Sequence, residues 1–585
     1  MLSILLHMHQ PDYRHPRTGV PIMPWVRLHA TRGYRDVARL ILETGAQVTV
    51  NLVPTLLEQI DQYANGGSDI HLELCKRAAD TLSAAEAGWL VQHGLHGSHR
   101  AFEWLSGWGA LRARRDRGER FGTADLRDLQ VWCNLSWFGA TALEDFPALA
   151  ELRRKGRGFS ESDKAVVLDA QLVCIRELRG LYSRLPDVSA SPYAHPILPL
   201  LVDSGHAARN LGPFDDPGFR HPQDALAQLV EGKRAVEAWI GHSVAGVWPS
   251  EGSVSPEAVE CIAKAGFSWF ATDSGVLERS DRRGHGPIWR VGGITGLFRD
   301  HGLSDRIGFV YADHEPVAAV DDLLHRTGGR RILLALDGEN PWESYEDAGA
   351  KFLRELFRRA PLRTCSSLAG EAATGVVDRI HTGSWIHADF RIWIGAEEDR
   401  AAWRLLRRVR ELVADAGDAV PVEAWRELWR AEASDWFWWY GPEFETPFAP
   451  EFDTLFRAHL AEVLRLIGAA PMPELDVPIK ASANAVTAPV GEVFPDRDDV
   501  FAWQAAGRVL VQTGSMAPGP GWPSRVDYGW SGGALAVRLV GADGVEVHGW
   551  RAELAEDTLV LVGPDGQRTP AHGAWRLLHS VVRPG

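Results

Sequence analysis

The run RILLALD at 331–337 is apolar without a break from Ile332 to Leu336 and then ends on an acid, Asp337. A strand with one face in water alternates apolar and polar residues, so a run that does not alternate needs cover on both faces. That requirement selects a parallel sheet with helices packed on it. The rest of the N-terminal part agrees. Segments 2–7, 47–54, 244–249, 267–272 and 307–311 read as further strands, with helical patterns at 32–43 and 255–266 between them. In the second helix Ser255 suits the N-cap, Pro256 the first helical position and Gly266 the stop. Such alternation predicts an α/β architecture.

At 585 residues the chain exceeds one typical core. The expected organisation is a catalytic α/β domain over 1–375 with a helical insert near 65–190, a helical domain over 376–470, and an antiparallel β domain over 480–585. The basic run RARRDR (112–117) in the insert reads as a solvated face. Helices are expected at 399–412, 421–431 and 452–468, where Trp, Leu and Val recur on one face. Prolines 471, 473, 478, 489 and 495 mark a linker, and 508–513, 534–540, 545–550 and 557–562 read as strands.

A net charge of −15 argues against nucleic acid and anionic membranes as partners. No run of about 18 apolar residues predicts a membrane span, and MLSILLHMHQPDY lacks the basic start of a signal peptide. Cys75, Cys133, Cys174, Cys261 and Cys365 are scattered without a CxxC pair, which fits a reducing compartment and gives no zinc signature. These features predict a cytoplasmic enzyme. The 24 tryptophans cluster, as in DWFWWYG (435–441), and serve either as core or as platforms for sugar rings.

Three strand ends carry candidate chemistry. Glu251, in VWPSEGSVS (247–255), lies between a strand and the helix that Ser255 already caps. Asp337 ends its own strand before a glycine. In parallel α/β folds sites assemble at the carboxyl ends of strands, so the two carboxylates can face one cleft. The small neighbours Ser250, Gly252 and Ser253 are expected to let a sugar approach Glu251. In HMHQPD (7–12), His7 and His9 share a strand face. With Asp12 they could bind zinc, or they could hydrogen-bond a sugar, or His7 could be a satisfied core histidine.

HQP after the first strand, WPSEG around Glu251 and LDGENPWE from Leu336 resemble glycoside hydrolase family 57, in its amylopullulanase and α-amylase-like branch. MPWVRLHATRGY (23–34), VWCNLSWFG (131–139), HPILPLL (195–201), FRDHGLSDRIGF (298–309) and GSWIHADFRIWIG (383–395) are similar as well. The resemblance implies an incomplete (β/α)7 barrel, a helical domain over the site, and retaining chemistry on α-glucans or maltooligosaccharides. It implies Glu251 as nucleophile, Asp337 as acid/base and His9 as a sugar contact. His7, Trp248, Asp300, Trp342, Trp385 and Asp389 follow as further lining residues. No cofactor or metal is implied. Ser250 and Gly252 replace the Leu-Pro-Glu-Cys type of sequence common around the nucleophile. Two other readings follow from the residues: a metal-dependent α-mannosidase or polysaccharide deacetylase using His7, His9 and Asp12, and a non-catalytic glucan-binding protein.

Overall fold

The computed structural model describes residues 1–280, 285–444, 446 and 448–480, and beyond 480 the backbone of seven strands. Nine strands form the main sheet: β1 (Leu2–Met8), β2 (Thr49–Leu52), β3 (Asp187–Ala190), β4 (Gly246–Val247), β5 (Trp269–Asp273), β6 (Ile288–Val291), β7 (Ile294–Arg299), β8 (Ile332–Asp337) and β9 (Gly375–Val377). Their order is β8-β1-β2-β3-β4-β5-β7-β6-β9. From β8 to β7 every pairing is parallel, giving seven parallel strands. β6 runs antiparallel to β7, and β9 pairs parallel to β6. No ladder joins β7 to β8, but the backbone N–H of Asp300 donates to Leu333 O at 2.7 Å. Arg299 Nη1 also donates to Ala335 O at 3.0 Å. The sheet therefore curls into the expected incomplete seven-stranded barrel, open along one seam.

Period-two alternation explains what fills it. Leu5, Trp248, Trp269, Ala271, Leu297, Leu333 and Ala335 form an inner apolar core with Cys365 and Leu368. Those last two belong to the short helix Cys365–Ala369, which plugs the end where the strands begin. The Cys365 backbone N–H donates to Thr49 Oγ1 at 2.7 Å, and Ser366 Oγ to Asp187 Oδ1 at 2.7 Å. One inward step along each strand, the residues turn polar: His7 after Leu5, Asp273 after Ala271, Arg299 after Leu297, Asp337 after Ala335. The carboxyl ends of the strands thus face a polar site over an apolar plug. In the two-residue β4, Gly246 lies against an indole; a Cβ there would meet the Trp269 ring at 1.9 Å.

The insert between β2 and β3 is helical, from Pro54 to Tyr182, with its own apolar core around helices Thr123–Leu135 and Glu161–Tyr182. Helices Glu397–Asp415, Val422–Ala431 and Ala449–Leu466 share one continuous core with the outer faces of the strands. Segment 307–311 is not the expected strand. Asp300 caps a helix, His301–Phe309, by accepting the Leu303 N–H at 2.9 Å. Leu303 and Ile307, four residues apart, face the core, and that cap sets a helical period on a short apolar run. The strand of this region is β7, upstream of the cap. Beyond residue 480, seven strands from Val486–Thr487 to Arg568–Pro570 pair antiparallel in sequential order. Strands Val486–Thr487, Pro523–Ser531 and Arg568–Pro570 fall outside the expected strands; Val486–Thr487 lies in the expected linker, whose other residues beyond 480 are outside the described ones. No helix among the described residues is long and apolar enough to cross a membrane.

Candidate active site

After β4 the chain makes a single turn, Ser250–Gly252, in which Glu251 adopts φ 57° and ψ 25°. A left-handed backbone at a residue with a Cβ costs on the order of 1 kcal/mol and persists only where the surroundings impose it. Here they do. The Gly252 N–H donates to Pro249 O at 2.8 Å, and Glu251 O accepts the Trp385 N–H at 3.0 Å. Thr272 Oγ1 donates to Gly252 O at 2.6 Å. Trp385 also donates its indole Nε1–H to Glu251 Oε2 at 2.9 Å, and the Arg299 guanidinium lies 4.8 Å above that indole. Of the five non-glycine residues at positive φ among the described residues, Glu251 and His195 meet at this site, and His387 and Ala388 lie in the loop after Trp385. Ser250 and Ser253 are fully buried, and Gly252 packs between the Trp248 and Trp385 side chains. The small neighbours of Glu251 therefore serve packing, and the turn itself presents the carboxylate.

Asp337 ends β8 beside His7 of β1, its partner in register. Asn340 Nδ2 donates to Asp337 Oδ2 at 3.0 Å. Burial pushes the Asp337 carboxyl above the ordinary range. Glu251 is pushed up to about 8, first by burial and then by the negative charges of Asp337 and Asp435. Like charges brought together out of water share protons, so this pair holds one between them near neutrality. Glu339, two residues beyond Asp337, is buried and pushed well up by burial and by Asp337. Gln10 Nε2 donates to its Oε1 at 3.4 Å.

A file of histidines crosses the site floor. Asn51 Nδ2 donates to Ala190 O at 2.7 Å, which fixes Asn51 Oδ1 as an acceptor. His7 Nδ1, 2.7 Å from that oxygen, must carry its proton there. Burial holds the His7 pKa down to about 3, so the ring is neutral and its Nε2 is a bare acceptor. His195 Nε2, 3.0 Å away, is then the donor. Burial and the neighbouring rings keep His195 neutral as well, so its Nδ1 is an acceptor. That atom lies 3.0 Å from Ser434 Oγ and 3.9 Å from Glu251 Oε1. His9, its ring stacked on His195 at 3.9 Å, donates Nε2–H to Asp435 at 2.8 Å.

The cleft over these groups has a volume of about 830 Å³. His7, His9, Glu251, Asp337 and Trp385 line it, as do Glu339, Asn340, Ser434 and Asp435. Its lining includes two aromatic groups, Trp393 with Trp438 and Trp439, and Trp25 with Trp137 and Phe448. The insert contributes His96–Ser98, anchored by Ser98 Oγ donating to Glu343 O at 3.3 Å. Four predicted lining residues stand elsewhere. Trp248 is fully buried beneath His7 and Trp385. Trp342 is buried with its indole N–H on Gly338 O. Asp300 caps its helix at a different cavity, by the seam. Asp389 accepts the Arg391 N–H and pairs with that guanidinium, bracing the loop after Trp385. The polar groups of Trp342, Asp300 and Asp389 are engaged within the scaffold, and Trp248 packs beneath the site with its indole N–H unpartnered.

Asp12 turns away from His7 and His9. It is ion-paired with Arg14 at 2.5 Å and Arg430 at 2.7 Å, which hold its carboxyl well below the usual range. The expected His7, His9 and Asp12 ligand set is therefore not assembled. Among the described residues, the group with metal-binding geometry is His9, His195 and Asp435. His195, Asp435 and Glu339 escaped the sequence reading, although HPILPLL, DWFWWYG and LDGENPWE contain them; no spacing links such residues across 240 positions of chain.

Comparison with known proteins agrees with this architecture. No curated protein sequence matches. Among solved structures, a GH57-type branching enzyme from the archaeon Pyrococcus horikoshii aligns with a TM-score of 0.50 at 15% identity, over 81% of this chain and 90% of that one. A GH57 branching enzyme from Thermococcus kodakaraensis aligns with a TM-score of 0.50 at 14% identity, over 81% and 90%. At such identity the likeness is one of fold. The sequence profile of glycosyl hydrolase family 57 matches residues 3–371, so the chain belongs to glycosyl hydrolase family 57.

Proposed function

We propose that the protein is a retaining glycosidase or transglycosidase acting on α-glucans, with Glu251 as nucleophile and Asp337 as general acid/base. The observation that carries this reading is the convergence of two half-buried carboxylates, from the ends of β4 and β8, in one aromatic-lined cleft. Retaining hydrolysis uses such a pair about 5–5.5 Å apart, one attacking the anomeric carbon and the other protonating the leaving oxygen. The α-glucan assignment rests on the HQP, WPSEG and LDGENPWE motifs and on the cleft's tryptophans, flat surfaces suited to the apolar faces of glucose rings.

In the first half-reaction ionised Glu251 forms a bond to C1 while Asp337 gives its proton to the departing oxygen. The Trp385 N–H favours the ionised form of Glu251. In the empty cleft the shared proton has a strong site on Glu251. An incoming glycosidic oxygen beside Asp337 offers an acceptor there and draws the proton across, which arms both groups at once. In the second half-reaction Asp337 takes a proton from water or a sugar hydroxyl, and that oxygen displaces Glu251. His9, its one N–H held by Asp435, lines the cleft beside the two carboxylates.

Product analysis on maltoheptaose and pullulan tests the reading. Shorter maltooligosaccharides mean hydrolysis, longer ones transfer, and maltotriose from pullulan means α-1,6 cleavage. No action on either substrate by folded protein would overturn it. The metal-dependent hydrolase reading is disfavoured by the Asp12 arginine pairs, and the non-catalytic reading by the intact carboxylate pair.

A further inference from the structure

We propose that His9, His195, Asp435 and Glu251 form a binding site for one divalent transition-metal ion of the zinc class, directly over the nucleophile. One ligand atom from each of His9, His195 and Asp435 already lies within 4.8 Å of the others. Zinc bonds of 2.0–2.2 Å in a tetrahedron put ligand atoms about 3.3–3.5 Å apart. His9 Nε2 is 2.8 Å from Asp435 Oδ1, and His195 Nδ1 is 3.9 Å from Glu251 Oε1. Closing on an ion therefore requires side-chain shifts of about 1 Å and rotation of the His9 ring out of its stack on His195, so that both in-plane lone pairs meet the ion. Two imidazoles and two carboxylates neutralise a 2+ charge, and the nitrogen ligands favour zinc, cobalt or nickel over calcium or magnesium.

The histidine file supplies what a random cluster lacks. A ligating histidine needs one bare nitrogen and a partner for the other. His195 has both: its Nε2–H is held by His7, His7 by Asn51, and Asn51 by the Ala190 carbonyl. That relay ends on β3 and leaves the unprotonated Nδ1 beside Ser434 Oγ at 3.0 Å and Glu251 Oε1 at 3.9 Å. Ser434 Oγ, now on Nδ1, gives way to the ion. At His9 the Nε2 proton moves to Nδ1, which has no partner in the apo site.

The ion would occupy the place where a sugar's anomeric carbon meets Glu251, so it should inhibit. Binding stands on the geometry alone, whereas inhibition rests on the proposed role of Glu251. The test is titration of chelator-treated protein with Co²⁺, read by visible d–d absorption, with Zn²⁺ as competitor. We expect one saturable Co²⁺ per chain and no thiolate charge-transfer band in the near ultraviolet. Zn²⁺ should displace the Co²⁺ and inhibit maltooligosaccharide hydrolysis, and a chelator should reverse that inhibition. Asp435→Asn and His9→Gln, checked for native circular dichroism, should each weaken binding at least about tenfold. Absence of saturable binding, a thiolate band, or unchanged affinity in both variants would overturn the site. Binding with undiminished hydrolysis would keep the site and contradict the role of Glu251.

Discussion

The two ends of the barrel are built from the same strands and solve opposite problems. At the closed end Asp187 accepts from Thr49 Oγ1 at 2.7 Å and from the Ser366 N–H at 3.0 Å, beneath an apolar plug. With Ser366 Oγ at 2.7 Å, three donors meet its charge. At the open end Glu251, Asp337 and Glu339 crowd together with fewer donors than lone pairs, and each is pushed above its ordinary pKa. A satisfied carboxylate holds a fold together, whereas an under-satisfied one is available for chemistry. The strain at Glu251 and His195 falls at the same end.

The contrast can be broken at its strongest point first. Glu251→Gln should cut kcat/KM on maltooligosaccharides by at least about 10⁴-fold, as loss of a covalent nucleophile does, while binding persists. The same variant should be more stable than wild type at alkaline pH. A carboxyl raised from its ordinary 4.5 to about 8 favours the folded state below the ordinary value, and that contribution is lost as pH rises through about 8. Thermal denaturation should show a wild-type decline between about pH 4.5 and 8 of roughly 2–5 kcal/mol that the variant lacks. Asp337→Asn should cost about 10²–10⁴-fold, least on substrates with good leaving groups; equal losses on all substrates would remove it as the acid. At the closed end, Asp187→Ala should cost about 1–3 kcal/mol in urea denaturation with kcat and KM unchanged. Asp435→Asn, the mildest change, removes a negative neighbour of Glu251 and should move the acidic limb of the kcat/KM profile to lower pH.

Much of this was legible in the sequence because local rules decide it. RILLALD, uniformly apolar, became β8, and Ser255 with Pro256 fixed the helix start that left Glu251 outside it. The two carboxylates and His7, His9 and Trp385 reached the cleft from motifs. What was missed depends on pairing between distant segments. β3 is four residues at the end of a long helical insert, and β7 contains Gly296, so neither carries a strong strand signal. Phe309 and Val310 suggested a strand, but a single cap at Asp300 outweighed them. Trp248 and Trp342 show why composition misled: an indole beside a catalytic motif can just as well lie beneath it as face the sugar. His195 and Asp435 sit on segments that meet only through the shared core, and Asp435 was hidden among tryptophans.

The most direct measurement is to trap the covalent intermediate. An Asp337→Ala variant, slow to release a glycosyl group, would be incubated with 5-fluoro-α-glucosyl fluoride, whose fluoride leaves without acid help. Peptide mass spectrometry would then locate the sugar. The account predicts one hexosyl adduct per chain, on the peptide carrying Glu251 and absent from an Asp337→Ala/Glu251→Gln double variant. Fluoride release without an adduct, or an adduct on any other residue, would contradict it.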